Sequence, residues 1–133
     1  MKLYKNIACV MLLISIVFTG CTKFGVAESE ISSFEVQNDR QLSVSAIIKD
    51  AGGCDYFIEQ GFCYSLFKEP ALTDVYSTVV TVAENSDSLS FSADITLPLV
   101  DTAYYVRAYV KNSAGLSYSN QVKVSTKPQN NNE

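Results

Sequence analysis

The chain has 133 residues, with 10 Lys and Arg against 14 Asp and Glu, a formal net charge of −4, and no His. Without an imidazole, Ser-His-Asp and Cys-His nucleophile schemes and the usual His-containing zinc sites are excluded. The acidic balance and the lack of a Lys/Arg cluster argue against nucleic acid, because phosphate neutralisation needs grouped cations.

The first element is a signal. Lys2 and Lys5 lead into the apolar run Ile7 to Phe18, which closes on Thr19-Gly20-Cys21. A basic head, a short apolar stretch and a small residue at the cut predict a secretory signal over residues 1–20. The run is about 12 residues, whereas a bilayer-spanning helix needs roughly 20. Phe18-Thr19-Gly20-Cys21 resembles the bacterial lipobox, with Phe where Leu is usual. That resemblance implies cleavage before Cys21, lipidation of its thiol and acylation of the new amine. A single acyl chain holds a protein only marginally, at about 0.8 kcal/mol per buried methylene, and two or three hold it stably. The simpler alternative is a secreted protein in which Cys21 is an ordinary thiol.

Loss of residues 1–20 removes Lys2 and Lys5, leaving 8 basic and 14 acidic residues and a charge of −6. Such a body is not drawn to anionic lipid, so the expected membrane contact is through the N-terminal acyl chains alone. The chain is similar to lipoproteins of the Bacteroidetes, whose surface-exposed members carry an acidic run after the lipidated cysteine. Here Thr22-Lys23-Phe24-Gly25 stands in that place. The resemblance implies the outer membrane, with the side open.

Residues 21–30 have no hydrophobic period and are expected to be a lipidated tether, at most about 30 Å long. Residues 31–126 read as one β domain, and residues 127–133 as a polar tail. Two-residue alternation predicts seven strands, near 32–37, 41–49, 57–67, 75–83, 88–96, 103–111 and 116–125. Leu42, Val44, Ala46 and Ile48 share a face, as do Leu89, Phe91, Ala93 and Ile95, and Tyr104, Val106, Ala108 and Val110. Leu116, Tyr118, Val122 and Val124 are expected on one face near the end. Turn signals separate these runs at Asn38-Asp39, Gly52-Gly53, Glu69-Pro70, Asn85-Ser86-Asp87 and Asn112 to Gly115. Seven short antiparallel strands, each with one dry face, predict an all-β sandwich of two facing sheets. The β-prone run Tyr76 to Val82 fits an internal strand better than a free edge.

The stretches Thr102-Ala103-Tyr104-Tyr105-Val106-Arg107-Ala108-Tyr109-Val110-Lys111-Asn112 and Glu59-Gln60-Gly61-Phe62-Cys63-Tyr64-Ser65 resemble strands of fibronectin type III-like domains, an immunoglobulin-like architecture. The resemblance covers roughly residues 31–126 and implies that Tyr104 is the tyrosine-corner residue, bonding back to the preceding loop. It further implies Phe62 and Tyr64 in the core and Cys63 on the outer face. Of the cysteines left after cleavage, Cys54 follows a turn and Cys63 lies well along a strand. That separation argues for two separate thiols over a disulfide.

Candidate sites are few. Tyr105, Arg107 and Tyr109 alternate onto one outer sheet face, where they either pair across strands or form an aromatic platform for a glycan or protein. Asp50, Asp55 and Glu59 surround one loop, in a spacing that fits a solvated turn rather than a calcium loop. No cofactor, metal site or nucleophile elbow is expected, and the chain is read as non-enzymatic. The expected role is an envelope-anchored binding, adhesion or scaffolding module. The alternatives are a pilus or assembly subunit that polymerises by strand addition, and a glycan-uptake accessory.

Overall fold

In a computed structural model of the protein, residues 24–128 are described. The signal segment, Cys21 and residues 129–133 lie outside them. Eight strands follow in order: β1 (Glu28–Gln37), β2 (Gln41–Asp50), β3 (Phe57–Ser65), β4 (Thr78–Ser86), β5 (Ser90–Thr96), β6 (Ala103–Asn112), β7 (Gly115–Tyr118) and β8 (Val122–Ser125). They form two antiparallel sheets, β1-β2-β5 and β4-β3-β6-β7, with β8 also paired to β6. The alternation read from the sequence places Leu42, Val44 and Ala46 of β2 opposite Phe62 and Tyr64 of β3 and Tyr104, Val106, Ala108 and Val110 of β6, all buried in one core. Phe62 meets Phe91 across the sheets at 5.2 Å between ring centroids, and Tyr64 meets Tyr104 edge-on at 5.9 Å. Two dry faces closed on each other are the structural content of the alternating pattern.

Three features depart from the sequence reading. First, the final strand is two strands. Tyr118 pairs with Tyr109 and Val122 with Val106, so Ser119, Asn120 and Gln121 face only Arg107 and Ala108. The extra residue is a bulge, and it flips the side-chain parity. Tyr118 therefore lies on the outer face beside Arg107, while Val124 is in the core. Ser119 holds the bulge: its N–H donates to Ala108 O at 2.9 Å and its Oγ accepts from Ala108 N–H at 2.9 Å.

Second, β4 is an edge strand, paired with β3 alone. It begins at Thr78 because Asp74 takes the preceding backbone into a turn. Asp74 Oδ1 accepts from Tyr76 N–H at 3.2 Å, and Asp74 Oδ2 accepts from Ser77 Oγ at 2.9 Å. Such local bonds compete with a sheet ladder. At the other end of the same connection β3 stops at Ser65, whose Oγ accepts from Phe67 N–H at 3.1 Å.

Third, the expected tether is mostly folded. β1 starts at Glu28, Ala27 is buried, and Gly25 N–H donates to Gly52 O at 2.9 Å. Asn112, itself buried, donates from Nδ2 to Gly25 O at 2.8 Å and to Ala51 O at 3.2 Å. The tail is also drawn in at its start, where Lys127 N–H donates to Asp39 O at 2.9 Å. The sandwich thus has two distinct ends. One gathers residues 24–27, the 51–56 loop and the 112–115 turn. The other gathers residues 38–40, 66–77 and 97–102 with Lys127.

Candidate functional site

The outer face of the larger sheet was the sequence-level candidate, through Tyr105, Arg107 and Tyr109. Alternation does put these three on that face, opposite Ser65, Cys63 and Gly61 of β3. The face is not open, however. Tyr109 is 0 % exposed, Arg107 is half-buried, and Cys63 on the same face is also 0 % exposed. Over Cys63 and Arg107 the cover is the β3–β4 loop, residues 66–77, which folds back over the strands, while Tyr109 lies among Glu59, Gly61 and Thr81.

Arg107, Cys63 and Tyr109 are each committed to partners within the fold, whereas Tyr105 is half-buried beside Ser65 and Lys123. Arg107 donates from Nε at 2.9 Å and from Nη2 at 2.6 Å to the carbonyl of the buried Pro70, and its guanidinium stacks 4.1 Å from the Tyr118 ring centroid. A charge-assisted fork plus a cation–π contact makes Arg107 the clamp of the loop. The Cys63 thiol also donates to Pro70 O, at 3.5 Å. Burial pushes this thiol up to about 11, against a smaller opposing pull from Arg107, so it stays neutral and unreactive near pH 7. Cys54 and Cys63 are both free, and Cys54 Sγ lies 3.2 Å from Ser113 Oγ.

Tyr109 donates its hydroxyl to Glu59 Oε1 at 2.5 Å, and Thr81 Oγ1 donates to the same oxygen at 3.1 Å. Burial, then the bond to Glu59, raises the Tyr109 hydroxyl pKa well above the ordinary phenol value. Gly61 makes this packing fit. A Cβ there would stand 2.2 Å from Val80 O and 2.8 Å from Tyr109 Cε1 and Oη. Glu59 is therefore spent on a tyrosine rather than on a loop with Asp50 and Asp55. Asp50 instead caps its own turn, accepting from Gly52 N–H at 2.8 Å. No group of three or more His, Cys, Asp and Glu side chains suited to a metal occurs among the described residues. Tyr104 points the other way, into the core, and its hydroxyl accepts from Leu99 N–H at 3.0 Å.

What the site offers outward is the loop itself. Leu72 N–H donates to Tyr118 Oη at 2.9 Å, Ala71 N–H donates to Ser77 Oγ at 3.1 Å, and Glu69 N–H donates to Gln121 Oε1. Held in this way, the loop exposes Leu66, Phe67, Val75 and Tyr76, the last two at 88 % and 70 %. Phe67 and Tyr76 touch, with ring centroids 5.4 Å apart and planes at 65°. Large apolar side chains on a pinned loop are an unusual use of surface, and long ordered loops in compact domains tend to carry function. Sequence reading missed this crest because it assigned Leu66, Phe67, Val75 and Tyr76 to strands. Glu69-Pro70 between two β-prone runs was the available signal for a loop there.

Comparison with known proteins adds the fold. No protein-family model matches the chain, and no curated protein matches it. Among solved structures it is similar to the sensor domain of the anti-sigma factor RsgI4 from Pseudobacteroides cellulosolvens, at 13% identity and a TM-score of 0.55, over 77% of this chain and 96% of that one. It is also similar to the sixth fibronectin type III domain of human fibronectin type III domain containing protein 3, at 13% identity and a TM-score of 0.53, over 86% of this chain and 95% of that one. The chain has a fibronectin type III-like β-sandwich fold.

Proposed function

We propose that the chain is a lipid-anchored, non-catalytic binding module of the bacterial cell envelope, and that it contacts a protein partner through the crest of the β3–β4 loop. The observation that carries this reading is a loop fixed by Arg107, Tyr118, Ser77 and Gln121, yet exposing Leu66, Phe67, Val75 and Tyr76. A contact surface ordered before binding loses little entropy when a partner arrives. Aromatic side chains flanked by aliphatic ones match the apolar centre of protein interfaces. The anchor is the acylated Cys21, at the outer membrane of a Bacteroidetes-like envelope, and it is supported by the signal pattern of residues 1–21.

A sugar platform is less well supported. Tyr109 and Arg107 are covered, and Phe67 and Tyr76 stand at 65° to each other rather than forming one flat stacking surface. Strand addition has one observation in its favour, the unpaired edge of β4. It lacks a donor among the described strands, since β1 is paired with β2 along its whole length.

A photo-crosslinking residue placed at Phe67 or Tyr76 in the producing cell tests the contact surface, with Ser92 on the opposite sheet as control. A defined protein adduct from 67 and 76, absent from 92 and lost on Val75→Ser, is expected. Equal adducts at all three positions, or none, overturn the protein-binding reading. Metabolic labelling with a fatty-acid analogue tests the anchor: label that persists in Cys21→Ser removes it.

A further inference from the structure

We propose that the end of the sandwich formed by residues 24–27, the 51–56 loop and the 112–115 turn seats directly on the membrane surface, so that the domain stands on the bilayer instead of hanging from a flexible leash. This rests on the proposed acylation of Cys21. Given that anchor, chain length leaves little freedom. Gly25 is four residues beyond Cys21, and four steps span at most about 15 Å. Gly25 itself is fixed at both polar atoms, by Gly52 O at 2.9 Å and Asn112 Nδ2 at 2.8 Å. Asn112 is locked in turn, since its Oδ1 accepts from Ala114 N–H at 3.0 Å and Gly115 N–H at 3.2 Å. The lipid attachment point and this block of loops therefore cannot separate by more than the width of one headgroup layer or so.

The chemistry of that end suits a lipid surface of neutral headgroups. Phe24 is 61 % exposed, and Val26, Tyr56, Ile58 and Leu116 are exposed there as well. Val26 stands beside the turn, where a Cβ on Gly115 would lie 3.5 Å from Val26 Cγ1. Side chains that are apolar in body and, for Tyr56, polar at the tip fit the headgroup–acyl boundary. The charged groups at the same end include Glu28, Asp50, Asp55 and, on the β4–β5 connection, Asp87, against Lys111. They form no basic stripe, so attraction to anionic lipid does not supply the contact. Seating would place the exposed crest of the β3–β4 loop, beside the end of β3 at Ser65 and the start of β4 at Thr78, at the far side of the sandwich. That is roughly 30 Å from the bilayer by the length of β3, at 3.3 Å per residue.

The test uses the natural acylated full chain in phosphatidylcholine vesicles that carry a nitroxide on some headgroups. In a Cys54→Ser background, a fluorophore is attached at Ser113→Cys, or at Asp55→Cys as a second position at that end. A third protein carries it at Val75→Cys on the exposed crest of the β3–β4 loop. Quenching at 113 and 55 at least several-fold stronger than at 75, unchanged between low and high salt, is expected. Inserting ten Gly/Ser residues between Thr22 and Lys23 should bring the three positions together. Weak quenching at 113 and 55 in protein that is acylated and sediments with the vesicles overturns the seating while leaving the anchor. Protein that carries no fatty acid and does not sediment overturns both.

Discussion

Two tyrosines five positions apart on β6 do opposite jobs because alternation sends them to opposite faces. Tyr104 enters the core and accepts from Leu99 N–H at 3.0 Å, tying the β5–β6 connection to the strand it leads into. Tyr104→Phe keeps the ring and strands that N–H. The expected loss is about 1 kcal/mol of unfolding free energy in urea titration. Tyr109 instead donates to the carboxylate of Glu59 on the outer face, where its ring is fully buried. Tyr109→Phe should cost more, about 1.5–3 kcal/mol, because a bond to a charged acceptor is lost in a covered site.

The buried acids on this face also give stability a pH dependence. Cys63 keeps its proton in the fold to about 11 against an ordinary 9.0, so the unfolded chain ionises first. Between pH 9 and 11 the native state holds more protons, and stability falls as pH rises. Tyr109 shifts in the same direction and adds to the fall above pH 10. The urea midpoint should drop between pH 8 and pH 10.5, and Cys63→Ala should shrink that drop. Iodoacetamide at pH 8 should modify the half-exposed Cys54 in the folded protein and reach Cys63 only after unfolding.

At the scale of elements, the decisive unit is the β3–β4 connection. Its polar side chains turn inward to fix the backbone: Asp74, Ser77 and Ser65 make local bonds, and Arg107 and Tyr118 reach it from the sheet. Arg107 combines the fork to Pro70 O with the stack on Tyr118, which a lysine cannot reproduce. Arg107→Lys should therefore leave the sandwich folded and make residues 66–77 the first site of limited proteolysis. An equal cleavage pattern in both proteins would mean that the loop is held by other contacts. The bulge at residues 119–121 matters for the same reason. Without its parity flip, Tyr118 would point into the core, leaving the Leu72 N–H without its acceptor and the Arg107 guanidinium without its stacking ring. The sequence hides this, because Leu116, Tyr118, Val122 and Val124 keep one parity on paper, with Asn120 alone interrupting it.

For the whole molecule, one shared core under two sheets predicts one cooperative transition. Near-UV signal from the core tyrosines and far-UV signal from the strands should change together in urea. The exposed crest lies outside that core. Phe67→Ser with Tyr76→Ser should change stability by less than about 0.5 kcal/mol while abolishing the crosslink proposed for the loop. Loss of fold in this double variant would show that the crest packs inward. The two ends of the sandwich carry separate roles in this scheme, with the chain entering beside Gly52 and Asn112 and the crest displayed at the other.

The sequence alone determined the all-β sandwich, because alternation of period two depends only on which residues can face water and which cannot. It also determined the absence of imidazole chemistry and the signal-like first twenty residues, both of which are properties of composition and order. Tertiary structure decided everything that needs two distant segments to meet. It showed that Tyr109 and Cys63 are covered, that β4 is an edge, that residues 24–30 are part of the body, and that Leu66, Phe67, Val75 and Tyr76 are displayed. The physical reason is that burial of an outer sheet face depends on where a loop falls, and the loop's path is set by bonds from β6, β7 and the bulge that are 37 to 52 residues away in the chain.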